Sequence, residues 1–279
     1  MVSLFASAVR VKLWKYFVDS LGLSLDGIEV IFCGDAKFDD KLFDGKYCKY
    51  IKIGRIKPSQ CYEIARRHCI GEVIVWVADD CEFKGDIIGK SYKYWKSQNN
   101  EKLILSLQTE ESGIWQDMNH HRFFGGINET PLMAPIGMAS RKFINDLGGL
   151  DRRYVAGQYE NDLVMRAYAQ GAKVEIFGDH ISYVEINHME KSVLSGEITN
   201  KQEFENRPFA TGYNTDRMIL EKSWAKLNET KLFVLLKDNP KEIEYKHCMD
   251  ILSSRSDEFE PYAKYISLTK SESHKGIWE

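Results

Sequence analysis

Val73-Ile74-Val75-Trp76-Val77-Ala78 runs straight into Asp79-Asp80-Cys81-Glu82-Phe83. An unbroken apolar run of this length, rich in β-branched residues, reads as a strand buried on both faces. Three carboxylates then crowd into four positions at the point where that strand surfaces. Unpaired charge is costly in such a place. The cluster is therefore a hydrated acidic turn, or it is paired with a cation. Hard divalent cations take oxygen ligands, and Mg²⁺ sites often combine one or two carboxylates with substrate phosphates.

Working outward, short apolar runs alternate with helical patterns over the first 110 residues. Strands are expected over 2–8, 28–33, 50–53, 73–78 and 103–108. Helices are expected over 11–23, 57–69 and 86–98, with Pro58 near a helix start, where its missing N–H does no harm. This alternation predicts βαβ units and an α/β, mainly parallel sheet with helices on both faces. Ligands bind such sheets at the carboxyl ends of the strands. Asp35, after the second strand, and the 79–82 cluster both fall there.

Residues 110–131 are polar, glycine-rich and aromatic, and read as a long binding loop or lid. A buried element at 135–140 and a short helix at 142–147 follow, ended by Gly148-Gly149. A helix over 159–170 is closed by Gly171. Strands are expected at 174–177 and 181–186. The composition turns polar from 191 to 206, which marks a linker. The chain thus divides into a core of 1–206 and a mainly helical C-terminal appendage of 207–279.

Composition narrows the function. The formal net charge of −3 gives no basic field for nucleic acid or an anionic membrane. The six cysteines show no CxxC or zinc spacing and read as reduced core thiols, which favours a cytoplasmic or other reducing compartment. No signal-peptide pattern opens the chain, and no run is long enough to span a membrane. An oligomer stays open.

The order of features resembles the GT-A fold glycosyltransferases, most closely the inverting, family 2-like, DxD-type group. Val2-Ser3-Leu4-Phe5-Ala6-Ser7-Ala8-Val9-Arg10 fits the family's opening strand and loop. Ile31-Phe32-Cys33-Gly34-Asp35 matches its second strand, which ends on a base-contacting aspartate. Ile64-Ala65-Arg66-Arg67-His68-Cys69-Ile70-Gly71-Glu72 is similar to the helix before the DxD strand, and Asp79-Asp80-Cys81-Glu82 stands in the DxD place. Gly148-Gly149-Leu150-Asp151 resembles the family's G-G-F-D turn. Tyr159-Glu160-Asn161-Asp162-Leu163 resembles its E-D-x-D-L stretch, with Arg166 a turn later. The resemblance covers roughly residues 2–190, a usual domain size. It departs from the family in the D-D-C-E cluster and in the lack of consecutive Glu-Asp at 160–161.

The resemblance implies a hexosyltransferase-type enzyme. It would move a sugar from a nucleotide-sugar donor, UDP-linked, to a hydroxyl acceptor such as a glycan, with inversion. Ser7, Arg10, Asp35, Arg66, Asp79 and Asp80 take donor-binding places. Mn²⁺ or Mg²⁺ would be held by Asp80 and Glu82, or by Asp79 with Asp80, with His188 as third ligand. Such a cation neutralises the charge growing on the diphosphate leaving group. Inversion also needs a base on the opposite face, and Glu160 and Asp162 are the candidates. Each residue has a structural alternative: Asp162 pairing with Arg166 at i,i+4, Glu160 favouring a helix N-terminus, His188 in a packing role, Arg66 on a solvated face. The aromatics Trp115, Phe123, Phe124 and Trp224 suit sugar stacking or core packing.

Two rivals remain open. A nucleotidyltransferase on a related sheet would want a glycine-rich basic loop, which Ser7-Ala8-Val9-Arg10-Val11 does not supply. A catalytically silent nucleotide- or glycan-binding module could keep the fold without the activity.

Overall fold

The computed structural model describes residues 1–22, 27–34, 36–37, 47–53, 58–116, 121, 132–151, 154, 157–186, 216 and 220. Strands β1 (Val2–Ser7), β2 (Ile28–Gly34), β3 (Cys48–Lys52), β4 (Val73–Trp76), β6 (Leu103–Leu107), β9 (Gly137–Ser140) and β10 (Lys173–Phe177) form one sheet of seven. Their order is β10-β6-β9-β4-β1-β2-β3. All pairs are parallel except those of β9, which runs antiparallel to both β4 and β6. The central strands β1, β2, β4 and β6 are buried almost throughout, as apolar runs in a sheet covered on both faces should be.

Helices α1 (Val11–Ser20), α2 (Pro58–Arg67), α3 (Ile87–Ser97), α4 (Arg141–Asp146) and α5 (Tyr159–Ala169) complete the described core. In α1, Leu13, Trp14, Phe17 and Val18 are buried at helical spacing. Trp14 and Phe17 each meet Phe32 of β2 with ring centroids 5.0 Å apart. The chain winds outward through β1, β2 and β3, then returns to lay β4 on the other side of β1. The crevice at the carboxyl ends of β1 and β4 is therefore the switch point of this sheet.

Two glycines allow close approaches. A Cβ on Gly34 would stand 2.1 Å from the Ala8 carbonyl oxygen, so a side chain there would displace the loop after β1. A Cβ on Gly137 would fall 2.1 Å from the Trp76 ring, which lies across β9.

The sequence reading needs correcting in three places. The acidic stretch is not all turn: Cys81–Phe83 is a strand, β5. The expected loop from 110 onward begins with the hairpin β7 (Thr109–Glu111) and β8 (Ile114–Trp115). These join β11 (Val184–Ile186) in a second sheet ordered β5-β11-β7-β8. Arg66 is no solvated residue either, at 2% exposure. Among the described residues no helix is long and apolar enough to cross a membrane.

Candidate active site

The first half of the site lies where β1 and β4 end. Their parallel register sets Phe5 opposite Trp76, so the two following loops emerge side by side. Asp79 and Asp80 are each 1% exposed. Asp79 Oδ2 accepts the backbone N–H groups of Val9 and Arg10, both at 2.8 Å, and the Trp14 indole N–H at 3.0 Å. Helix α1 has no side-chain cap at Arg10. Asp79 supplies the missing acceptor from the other loop, and its charge suits the positive end of the helix.

Arg10 faces both carboxylates. Its Nε lies 3.2 Å from Asp79 Oδ1, and its guanidinium also pairs with Asp80 Oδ2. Two covered carboxylates thus share one guanidinium. Among the described residues the buried Asp79 Oδ1 receives no hydrogen bond. Oxygen donors with surplus negative charge fit a hard cation that completes its shell with phosphate oxygens. No preformed cage of three or more His, Cys, Asp or Glu side chains occurs among the described residues.

The second half is the start of α5. Gln158 precedes it in the left-handed conformation, at φ 65°, and its carbonyl accepts the Asp162 N–H at 3.0 Å. Glu160 stands in the first turn, half-buried. Burial pushes its carboxyl up to about 7; the Asp216 charge adds to the rise and its own backbone N–H opposes it. Asp162 is fully buried. It accepts from Arg166 Nε at 2.8 Å, while the remaining Arg166 nitrogens donate to the carbonyls of Leu147 and Gly149 at 2.7 Å. The pair thus clamps the Gly148-Gly149 turn onto α5.

The other expected residues are placed as follows. Ser7 ends β1, partly exposed. Glu82 lies on β5 opposite Glu185 of β11, and Lys84 bridges the two at 3.0 and 2.7 Å. Arg66 donates from Nε and Nη2 to Glu63 at 2.7 and 2.8 Å, and from Nη1 to Asn145. Glu63 is a buried hub that also accepts from Arg67 at 2.7 Å and from the Leu150 N–H at 3.0 Å. Trp115 stacks on His180 with centroids 3.9 Å apart. Asp35, His188, Phe123, Phe124 and Trp224 lie outside the described residues.

Sequence reasoning missed two contributors. Tyr62 and Tyr159 join the halves of the site, although both look like ordinary core aromatics in sequence. Asp216, fully buried, accepts the Gly157 N–H at 2.9 Å from within the expected appendage. Nothing in the sequence around Asp216 marks it.

No family model and no curated protein matches the sequence. Solved structures do match in fold. The crystal structure of Staphylococcus aureus TarS 1-349 has a TM-score of 0.55 at 12% identity, over 99% of this chain and 89% of that one. Its complex with UDP-GlcNAc gives 0.58 at 13%, over 99% and 78%. The mannosyltransferase PcManGT from Pyrobaculum calidifontis, in complex with GDP-Man and Mn²⁺, gives 0.53 at 10%, over 98% and 81%. With the strand order and rim described above, the likeness defines the fold class: a GT-A-type glycosyltransferase fold. At these identities it is the fold that is shared.

Proposed function

We propose that this chain is an inverting glycosyltransferase that moves a sugar from a nucleotide-diphosphate donor, UDP-linked, to a hydroxyl acceptor such as a glycan. The observation that carries the reading is Glu160 at the start of α5, next to Tyr159, which packs on Tyr62, whose hydroxyl donates to the Val77 carbonyl just before Asp79; burial raises the Glu160 carboxyl to about 7. A base works best when its pKa lies near the working pH. The names of the matching structures, with UDP-GlcNAc, GDP-Man and Mn²⁺, support the donor class.

In this reading the donor diphosphate lies over the β1–β4 crevice, where Arg10 and the Asp79–Asp80 pair meet. Asp79 holds that loop against α1, and Asp80 offers the oxygen for Mn²⁺ or Mg²⁺, with Glu82 and His188 as further candidates. A bound cation would supply Lewis-acid stabilisation of the diphosphate charge. Glu160 takes the proton of the acceptor hydroxyl as its oxygen bonds to the sugar's anomeric carbon. The bond from that carbon to the phosphate oxygen breaks, and its electron pair leaves with the diphosphate. Attack from the side opposite the leaving group inverts the anomeric centre. Asp162, held by Arg166, keeps α5 and the glycine turn in place.

The test pairs binding with turnover. The protein is titrated with UDP- and GDP-sugars, with and without Mn²⁺, while its melting temperature is followed; a ligand that binds only the folded state raises it. Donor hydrolysis or transfer is then measured for wild type and Glu160→Gln. A shift with one donor class, kept in Glu160→Gln while turnover is lost, is the expected result. A binding shift with no turnover in wild type would identify a silent module.

A further inference from the structure

We propose that Asp216, from beyond the expected core, is a positioning residue for Glu160: it anchors the turn that carries the base and brings a second carboxylate to that turn. The inference rests on the assignment of Glu160 above. Its geometry is independent of that assignment.

Gly157 and Asp216 are both buried, and Asp216 Oδ2 accepts the Gly157 N–H at 2.9 Å. The next residue, Gln158, is a non-glycine in the left-handed region at φ 65°. That conformation costs energy and persists where surrounding structure enforces it. Gly157 on one side is fixed by Asp216. On the other side, the Gln158 carbonyl holds Asp162 and its amide oxygen accepts from the Asn161 side chain at 2.8 Å. Glu160 is carried between these fixings.

Burial is the main cause of the raised Glu160 carboxyl, and the Asp216 charge adds to it by favouring the protonated form. Among the described residues the other ionisable group coupled to Glu160 is Tyr159, on the same helix. Tyr62 and Cys61 of α2 act on Tyr159. A nearby negative charge makes a carboxylate a stronger base, since like charge disfavours ionisation. Asp216 thus ties a residue beyond position 206 to the turn that carries the base.

The experiment uses the full chain with ¹³C-carboxyl-labelled glutamate. The Glu160 resonance, assigned by its loss in Glu160→Gln, is titrated in wild type and in Asp216→Asn. Asparagine keeps an acceptor for Gly157 and removes the charge. We expect the Glu160 midpoint to fall by about 0.5 to 1 pH unit, and the acidic limb of the rate profile to move with it while donor KM stays unchanged. Asp216→Ser gives the same neutral acceptor if Asp216→Asn folds poorly. An unmoved Glu160 midpoint in a folded variant overturns the inference, whatever the activity. A midpoint that moves while the rate profile does not leaves the coupling intact and overturns Glu160 as the base.

Discussion

Tyr62 of α2 and Tyr159 of α5 lie ring against ring, centroids 4.9 Å apart and planes tilted by 36°. The Tyr62 hydroxyl donates to the Val77 carbonyl at 2.8 Å, two residues before Asp79. Tyr159 is the residue before Glu160. A continuous line of contacts therefore joins the acidic loop to Glu160. Both phenols are pushed up by burial and stay neutral donors across the working range. Tyr62→Phe keeps the ring contact and loses the hydroxyl's hydrogen bonds with the Val77 carbonyl and the Tyr159 side chain, at about 1 kcal/mol each, more if the Val77 carbonyl stays dry. Tyr62→Ala also loses the ring, and truncation of a core aromatic costs about 3–5 kcal/mol. Urea unfolding of both variants checks this: equal losses would mean that the ring contact contributes nothing.

Asp79 and Asp80 are adjacent and equally buried, yet they should fail differently. Asp79 Oδ2 serves three N–H donors at the start of α1. Hydrogen bonds to a charged group contribute about 1.5–3 kcal/mol each. Asp79→Ala should therefore lose several kcal/mol of stability. Asp80 pairs instead with the Arg10 guanidinium. Asp80→Asn keeps the side-chain shape and leaves Arg10 paired with Asp79, so it is expected to lose less stability than Asp79→Ala and to lose the Mn²⁺-dependent part of donor binding. Isothermal titration with donor, with and without Mn²⁺, alongside melting curves separates the two. Unchanged Mn²⁺ dependence in Asp80→Asn would move the cation elsewhere.

Asp162 and Arg166 form a covered ion pair that fastens the Gly148-Gly149 turn. Removing one partner of such a pair leaves a buried charge and costs about 3–5 kcal/mol, whereas replacing both with apolar residues is far cheaper. Arg166→Met should be severely destabilised, and the double variant Asp162→Leu/Arg166→Met partly rescued. A double-mutant cycle by denaturant unfolding measures the coupling. Additive losses would show that the two side chains do not act as a pair.

The sheet is legible in sequence because buried parallel strands are mostly apolar runs, and Val2 to Ser7, Ile28 to Gly34 and Val73 to Trp76 carry that mark, interrupted only by Ser3, Ser7 and Glu29. The direction of β9 is not, because Gly137 to Ser140 would look the same running either way. The hairpin at 109–115 has strands of three and two residues, too short for any period to show. The carboxylates were readable as a group at the rim but not by task. Whether an aspartate caps a helix, clamps an arginine or faces a ligand depends on partners distant in sequence, such as Val9 for Asp79 and Gly157 for Asp216. Arg66 shows the same limit: read as a donor-binding residue or part of a solvated face, it is buried in an i,i+3 pair with Glu63.

The pH dependence of stability isolates Glu160. Its carboxyl sits at about 7 in the folded protein against an ordinary 4.5. Between those values the folded state holds more protons than the unfolded one, so stability falls as pH rises through the window. At 1.36 kcal/mol per unit the full difference is at most about 3 kcal/mol, and partial solvent access reduces it. The carboxyls of Glu72, Glu175 and Asp179 are held below the usual range by Lys96, Lys173 and backbone N–H groups respectively, so their effects fall at lower pH. Glu160→Gln should therefore equal or trail wild type near pH 5 and exceed it near pH 8. The difference between the two unfolding curves, followed from pH 4 to 9, should bend with a midpoint that matches the rise in wild-type transfer rate. A flat difference would mean that Glu160 ionises as an ordinary surface carboxylate, and a base role would then have no physical support.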